Sequence, residues 1–199
     1  MRRVVIGFMF FLLGCSSGVS DPPAPSSAEP SASNRQPSSV SLDEIRKEYE
    51  RVSSSAGNAI DLAGAAVSAI NDDLDVGPRN KLESSILNDC DRGIALHTST
   101  TLPIIARAIS ALESSPPRES NDWWLNRSRW QNEEGYTYYA IARGHASKAL
   151  VHRMAGRKAN ARQSLESATV AMERIPNALL LDSSSMLRLK ENIESLSRD

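Results

Sequence analysis

The residues best suited to binding chemistry are concentrated in one segment, residues 121–140, which reads NDWWLNRSRWQNEEGYTYYA. Trp, Tyr and Arg dominate binding hot spots because they bury large areas at a low cost in rotamer freedom. Flat aromatic faces can also stack on sugars. The segment is therefore predicted to carry a binding surface composed of Trp123, Trp124, Arg127, Arg129, Trp130, Tyr136, Tyr138 and Tyr139.

The same rings have a purely structural interpretation. Aromatic residues make up 5% of the chain, and a helical domain with few large rings can use them to fill the seam between its two halves. Neighbouring side chains on a helix point about 100° apart. Trp123 and Trp124 therefore cannot both face inward on a helix, so at least one is expected to be exposed or to lie in a loop. The seam, a partner surface and a glycan platform stay open as alternatives.

No pattern in the sequence is typical of a catalytic or metal site. His145 and His152 are seven residues apart, whereas paired zinc ligands on a helix are four apart. Serine is abundant, but a serine nucleophile needs a neighbouring base, and none is indicated. We interpret the adjacent Glu133 and Glu134 as solvent-exposed residues of a helix rather than as an acid–base pair. We therefore expect no catalytic residue, no metal ligand and no cofactor.

Charge and cysteine content narrow the possible classes further. The chain has 23 Lys and Arg against 24 Asp and Glu, a formal net charge of −1. This balance lacks the basic excess typical of nucleic-acid-binding proteins, so no nucleic-acid partner is expected. Cys90 lies among apolar residues at helical spacing, and we interpret it as a small core residue rather than a reactive thiol.

The first fourteen residues, MRRVVIGFMFFLLG, are typical of a secretory signal peptide. Two arginines precede an apolar run of ten residues, which is too short to span a bilayer as a helix. The motif Leu12-Leu13-Gly14-Cys15 resembles the lipobox of bacterial lipoproteins. The resemblance implies cleavage after Gly14 and lipid attachment to Cys15. Because Ser16 follows, it also implies sorting to the bacterial outer membrane, with the domain facing the periplasm.

Three regions follow from these patterns: a signal peptide (1–14), a lipidated Cys15 with a Ser/Pro-rich tether (15–41), and a helical domain (42–199). Residues 16–41 contain ten Ser and five Pro. Such a segment cannot bury enough apolar surface to offset its ordering entropy, so we expect it to be disordered.

The domain is predicted to be all-α, because no stretch alternates as a β-strand does. Ser41 and Glu44 have the S-x-x-E spacing of a capping box, which predicts the start of a first helix of roughly thirty residues. Asn80 is predicted to cap a second helix, and the Thr-rich residues 98–101 are predicted to break or kink it. Pro103 suits the first turn of a third helix.

The C-terminal third predicts further helices around residues 136–155, 161–175 and 183–196. The run from Ala149 to Pro176 resembles a single degenerate tetratricopeptide (TPR) repeat. The matching positions are Gly156, Leu165, Ala168 and Pro176. We predict antiparallel helical hairpins that form a bundle or a short TPR-like array of about six helices.

Together these features predict a lipid-anchored helical protein of the cell envelope that acts as a protein-interaction or scaffold module without catalysis. The alternative is a helical domain that binds a small ligand or a glycan such as peptidoglycan through residues 123–139. The expected partners are the membrane, through the N-terminal lipid, and another envelope protein. The oligomeric state and the face of the membrane stay open at this point.

Overall fold

The described part of the chain is built from α-helices. A computed structural model describes residues 41–70, 74–114, 121–175 and 183–198, and no β-strand occurs within these ranges. The predicted signal peptide, Cys15, the predicted tether up to residue 40 and Pro176 lie outside the described residues. The helices are α1 (Leu42–Val67), α2 (Val76–Leu96), α3 (Leu102–Ser114), α4 (Asn121–Met154), α5 (Lys158–Glu173) and α6 (Ser183–Ser197). The predicted all-α class is confirmed.

Helix α1 begins with the predicted capping box. The Glu44 backbone N–H donates to Ser41 Oγ at 3.2 Å, and the Ser41 N–H donates to Glu44 Oε2 at 3.1 Å. The helix is shorter than predicted, because it ends at Val67 after 26 residues. Just beyond it, Ser68 Oγ donates to the Ala65 carbonyl at 2.7 Å, a local bond that competes with continued helix.

The prediction that Asn80 caps the second helix is wrong. Helix α2 begins at Val76 with Asp75 as its N-cap residue, and Asn80 lies inside the helix. Pro78 falls in the first turn, where a missing backbone N–H removes no intrahelical hydrogen bond. The helix can therefore begin before the proline.

The Thr-rich residues widen the helix instead of breaking it. A π-helical turn, His97–Thr101, joins α2 directly to α3, so the six α-helices form five continuous rods within the described ranges. A proline inside an α-helix clashes with the carbonyl four residues before it, which for Pro103 is that of Ser99. In the wider turn the Leu102 N–H donates to the His97 carbonyl, and the chain continues past Pro103 without a break.

Helix α4 is much longer than predicted. It runs for 34 residues from Asn121, whereas the sequence predicted a start near Tyr136. The whole aromatic segment is therefore helical, and the spacing of its side chains around one helix decides which of them reach solvent.

The α2–α3 rod runs antiparallel to both α1 and α4. Two contacts show that α2 and α4 run in opposite directions. Arg79 near the start of α2 donates to the Met154 carbonyl at the end of α4 at 3.0 Å, and Asp91 further along α2 pairs with Lys148, which lies earlier in α4. Helices α1 and α4 are parallel, since Tyr49 contacts Glu133 and Asp61 contacts Arg143. Helix α5 folds back along α4, and α6 packs against both.

A buried carboxylate holds the α4–α5 turn against α2. Glu83 is 5% exposed and accepts hydrogen bonds from Arg79 at 3.3 Å and from Arg157 at 2.9 Å. The turn itself requires Gly156, whose φ of 70° lies in the left-handed region that glycine adopts without strain. Glu83 of α2 therefore holds the α4–α5 turn, which lies more than seventy residues later in the sequence.

Three apolar clusters form the core. One joins α4, α5 and α6; a second joins α1, α3 and Trp130; a third joins α1 and α2 around Cys90 and Val151. Among the described residues, no helix combines the length and the apolar character needed to cross a membrane.

Candidate functional site

The first half of α4 presents an exposed stripe of large side chains. Trp124 is 55% exposed, Leu125 is 68% exposed and Tyr136 is 45% exposed, and Arg129 is also exposed. Leu125, Arg129 and Tyr136 recur at helical spacing, which places them on one face of α4. Trp124 precedes Leu125 in the sequence and lies about 100° around the helix from it, so it extends the exposed surface to one side of this face. We call the surface formed by Trp124, Leu125, Arg129 and Tyr136 the α4 stripe.

Leu125 is the member of the stripe that sequence reasoning missed. It lies four residues before Arg129 and eleven before Tyr136, so the helical repeat itself was the available signal. The sequence predicts a helix only from about residue 136, and Leu125 and Arg129 lie before it.

Trp130 belongs to the core and not to the surface. It is 3% exposed, and its ring meets the Tyr49 ring edge-on, with centroids 5.3 Å apart and an interplanar angle of 84°. Edge-to-face contacts of this kind add about 0.5–1.5 kcal/mol beyond burial. For this residue the structural interpretation holds.

Trp123 and Arg127 support the stripe from behind. The Trp123 indole N–H donates to the Leu112 carbonyl at 2.7 Å, which ties α4 to the end of α3. Its ring meets Trp124 edge-on at 4.7 Å. Arg127 lies 5.8 Å from the Trp123 ring centroid and pairs with Glu113 at 3.6 Å. Trp124 is thus braced by a ring that is itself hydrogen-bonded to the backbone.

Tyr138 and Tyr139 follow the stripe along α4 and are packed against the cluster formed by α4, α5 and α6. Each is half-buried beneath a guanidinium group: Arg174 lies 5.9 Å from the Tyr138 ring centroid, and Arg143 lies 5.8 Å from that of Tyr139. The eight predicted residues therefore occupy the exposed stripe, its support, the core and this second cluster. The structure does not assemble them into one site.

A polar contact fixes the stripe's half of α4 on α1. The Tyr49 hydroxyl donates to Glu133 Oε2 at 2.6 Å, and Thr137 Oγ1 donates to the Glu133 carbonyl at 2.8 Å. Burial, followed by the hydrogen bond to Glu133, raises the pKa of Tyr49 above its usual range. The phenol stays protonated and serves as a donor. Glu133 is thus half-buried and bonded, where the sequence predicted a solvated residue.

The three histidines do not gather into a site. His97 is buried in the π-helical turn, and neither of its ring nitrogens has a hydrogen-bond partner among the described residues. Burial lowers the pKa of His97 to about 4 and also lowers the pKa values of His145 and His152, so the rings are neutral at pH 7. Within the described ranges, no three His, Cys, Asp or Glu side chains are grouped as metal ligands.

Cys90 is fully buried, as the helical spacing predicted. Burial raises the pKa of its thiol to about 12. A protonated, inaccessible thiol is a poor nucleophile, so Cys90 contributes packing and not chemistry.

A groove lies on the other side of α4, between α5 and the π-helical turn. Its volume is about 360 Å³, and Thr98, Tyr138, His145 and Arg174 are among the residues that line it. Comparison of the chain with protein-family models, curated proteins and solved structures gives no match.

Proposed function

We propose that this protein is a lipid-anchored helical module of the bacterial cell envelope that binds another envelope protein through the α4 stripe, without catalysis. The α4 stripe is the observation that carries the proposal. Trp, Arg and Tyr are the residue types that most often dominate protein–protein binding. From Trp124 to Tyr136 the stripe extends for about 18 Å at the helical rise of 1.5 Å per residue, a length suited to a partner's helix or sheet face.

The support beneath the stripe favours a binding role. The Trp123 bond to Leu112 and the Tyr49 bond to Glu133 hold this half of α4 in place before a partner arrives. A surface that is already ordered loses less conformational entropy on association. More of the free energy gained when a partner buries the exposed rings therefore appears as binding affinity.

The N-terminus supports the location that we propose. The lipobox-like motif ending at Cys15 would attach the chain to the outer membrane, and residues 16–41 would let the domain reach a partner in the periplasm. Two or three acyl chains anchor stably, whereas one gives marginal binding. The α4–α5 hairpin supports a TPR-like character, because Gly156 makes its turn and Ala168 is fully buried at the matching small position.

The stripe can be tested by cross-linking in intact envelopes. A photoreactive residue replacing the exposed Ser128, next to Trp124, should give a discrete adduct with one partner. Trp124→Ala should lower the adduct yield at least tenfold, because truncation of a hot-spot residue costs about 2 kcal/mol or more. Leu62→Ala is the matched control, since Leu62 is a similarly exposed apolar residue on α1 and its loss should leave the yield unchanged.

Two results would contradict this function. Equal adduct yields from Trp124→Ala and the wild type would remove the stripe from the interface. Co-sedimentation with purified peptidoglycan that depends on Trp124 would instead support the glycan-binding alternative.

Lipid attachment has its own test. Metabolic labelling with a fatty acid should mark the wild type and not Cys15→Ser, which should also leave the membrane fraction. Labelling of Cys15→Ser at the wild-type level would refute the anchor, whatever the outcome of the cross-linking.

A further inference from the structure

The groove between α4, α5 and the π-helical turn combines an apolar floor with a polar rim. Ile141 and Ala171 are buried at its base, and Leu102 extends the apolar surface. Thr98, Gln163 and Ser167 line it with groups that form hydrogen bonds. A volume of about 360 Å³ falls at the lower end of the range for small-molecule sites, which are mostly apolar with a few placed polar groups.

One wall of the groove is an irregular part of the backbone. Thr98 lies within the π-helical turn and Leu102 directly follows it, and both line the groove. Single π-helical turns inside α-helices are frequent at functional sites. This observation is independent of the groove's residue types and points to the same place.

The groove carries one positive charge that the described residues do not neutralise. Arg174 is held near the Tyr138 ring at 5.9 Å, and no carboxylate of the described ranges pairs with it. Glu166, which also lines the groove, is paired with Arg162 at 3.2 Å. His145 is neutral at pH 7, because burial and then Lys148 lower its pKa. Arg174 is therefore the cation in the groove lining that is left to hold a negatively charged group of a ligand.

We propose that this groove binds a small amphipathic carboxylate, with Arg174 holding the carboxylate and the floor of Leu102, Ile141 and Ala171 covering the apolar body. A guanidinium group matches a carboxylate in a two-bond, planar geometry. A single cation suits a monoanion better than a doubly charged phosphate. The site goes beyond the protein-binding function proposed above and shares no residue with the α4 stripe.

The test uses the purified full-length chain and 2-naphthoate as the probe, with uncharged 2-naphthalenemethanol as its match. Saturation-transfer NMR detects binding, and equilibrium dialysis measures the affinity. We expect the wild type to bind the acid at least tenfold more tightly than the alcohol. Arg174→Gln should lose at least tenfold for the acid, since hydrogen bonds to a charged group are the strong ones, and should bind the alcohol as the wild type does.

Two further variants separate the groove from the rest of the surface. Ser167→Tyr places a ring in the groove without changing its charge, and should weaken the binding of both probes. Arg188→Gln removes an exposed guanidinium on α6, outside the groove, and should leave both affinities unchanged. Far-UV circular dichroism and the unfolding midpoint verify that each variant is folded.

Equal affinities for the acid and the alcohol, or an unchanged affinity in Arg174→Gln, would overturn the proposal. Undiminished binding in a folded Ser167→Tyr would overturn it as well, because the probe would then lie elsewhere. Arg174→Gln should keep the wild-type cross-link beside Trp124, so failure of this site and failure of the proposed function are distinguishable.

Discussion

Helices α1 and α2 approach each other closely at Gly93, so we expect a larger side chain at this position to destabilise the fold. A Cβ at residue 93 would lie 2.6 Å from Ile60 Cγ1 and 2.9 Å from the backbone carbonyl oxygen of Ala56. Both distances are too short for real contacts. Ile60 is 1% exposed, so its side chain has no free space to move into, and the backbone of α1 cannot yield without shifting the helix.

The magnitude follows from two opposing terms. Replacing glycine by alanine inside a helix gains about 1 kcal/mol in helix propensity. Overpacking a core costs about 1–3 kcal/mol, and the upper end applies here because one of the atoms met belongs to the backbone. We expect Gly93→Ala to lower the free energy of unfolding by about 2 kcal/mol, the difference between these terms.

Gly57→Ala is the matched control. Gly57 lies inside α1, and a Cβ there would meet no atom within 4 Å. This variant should raise the free energy of unfolding by about 0.5–1 kcal/mol.

Urea unfolding followed by far-UV circular dichroism measures both variants, with an unchanged m-value as evidence that the denatured state is the same. Stability of Gly93→Ala equal to or above that of the wild type would refute the close packing of α1 and α2.

Two further predictions concern buried charge and pH. Glu83→Gln should lower the free energy of unfolding by about 2 kcal/mol, below the 3–5 kcal/mol of a fully buried ion pair, because the Arg157 side chain is 40% exposed. Glu166→Gln, at an exposed pair, should cost less than about 0.5 kcal/mol in the same urea titration, and equal losses would contradict this. Burial lowers the pKa of His97 to about 4 in the folded protein, against about 6.5 for an unperturbed histidine, so the unfolded chain binds the proton more readily. The free energy of unfolding should therefore fall as the pH drops from 6.5 towards 4, by up to about 1.4 kcal/mol per pH unit. His97→Leu should remove this contribution to the pH dependence. A pH profile of His97→Leu like that of the wild type would contradict the assignment to His97.

Local sequence signals predicted the parts of the fold that depend on near neighbours. The capping box of Ser41 and Glu44 forms both of its hydrogen bonds, because its atoms lie three residues apart in any helix that begins there. The burial of Cys90 followed from helical spacing in the same way.

The errors occurred where local signals compete. Asn80 has a good capping side chain, but Asp75 begins the helix five residues earlier, and Pro78 in the first turn does not prevent this. The Thr-rich stretch is weakly helical by itself, yet packing on both sides carries the α2–α3 rod through it. The sequence predicts the start of α4 near Tyr136, but the helix begins fifteen residues earlier, at Asn121.

The candidate site was predictable in composition and not in geometry. The sequence named Trp124, Arg129 and Tyr136, which are exposed, and also Trp130, which is buried. All four are of types that are enriched in binding hot spots, and they lie in one segment. Only their angular positions around α4, and the presence of Tyr49 on α1, separate surface from core.

The sequence by itself determined the all-α class, the capped start of α1 and the segment in which Trp, Tyr and Arg residues are concentrated, because composition, periodicity and short-range capping are properties of the chain. It also carries the lipobox-like motif ending at Cys15, on which the lipid anchor proposed above rests. Tertiary structure alone decided that Gly93, and not Gly57, lies at the closest approach of two helices. It also decided that Glu83 and Arg157, 74 residues apart, form a partly buried ion pair. Such contacts depend on which helices meet and on the distance between them. The packing of all the apolar helix faces into one core sets both.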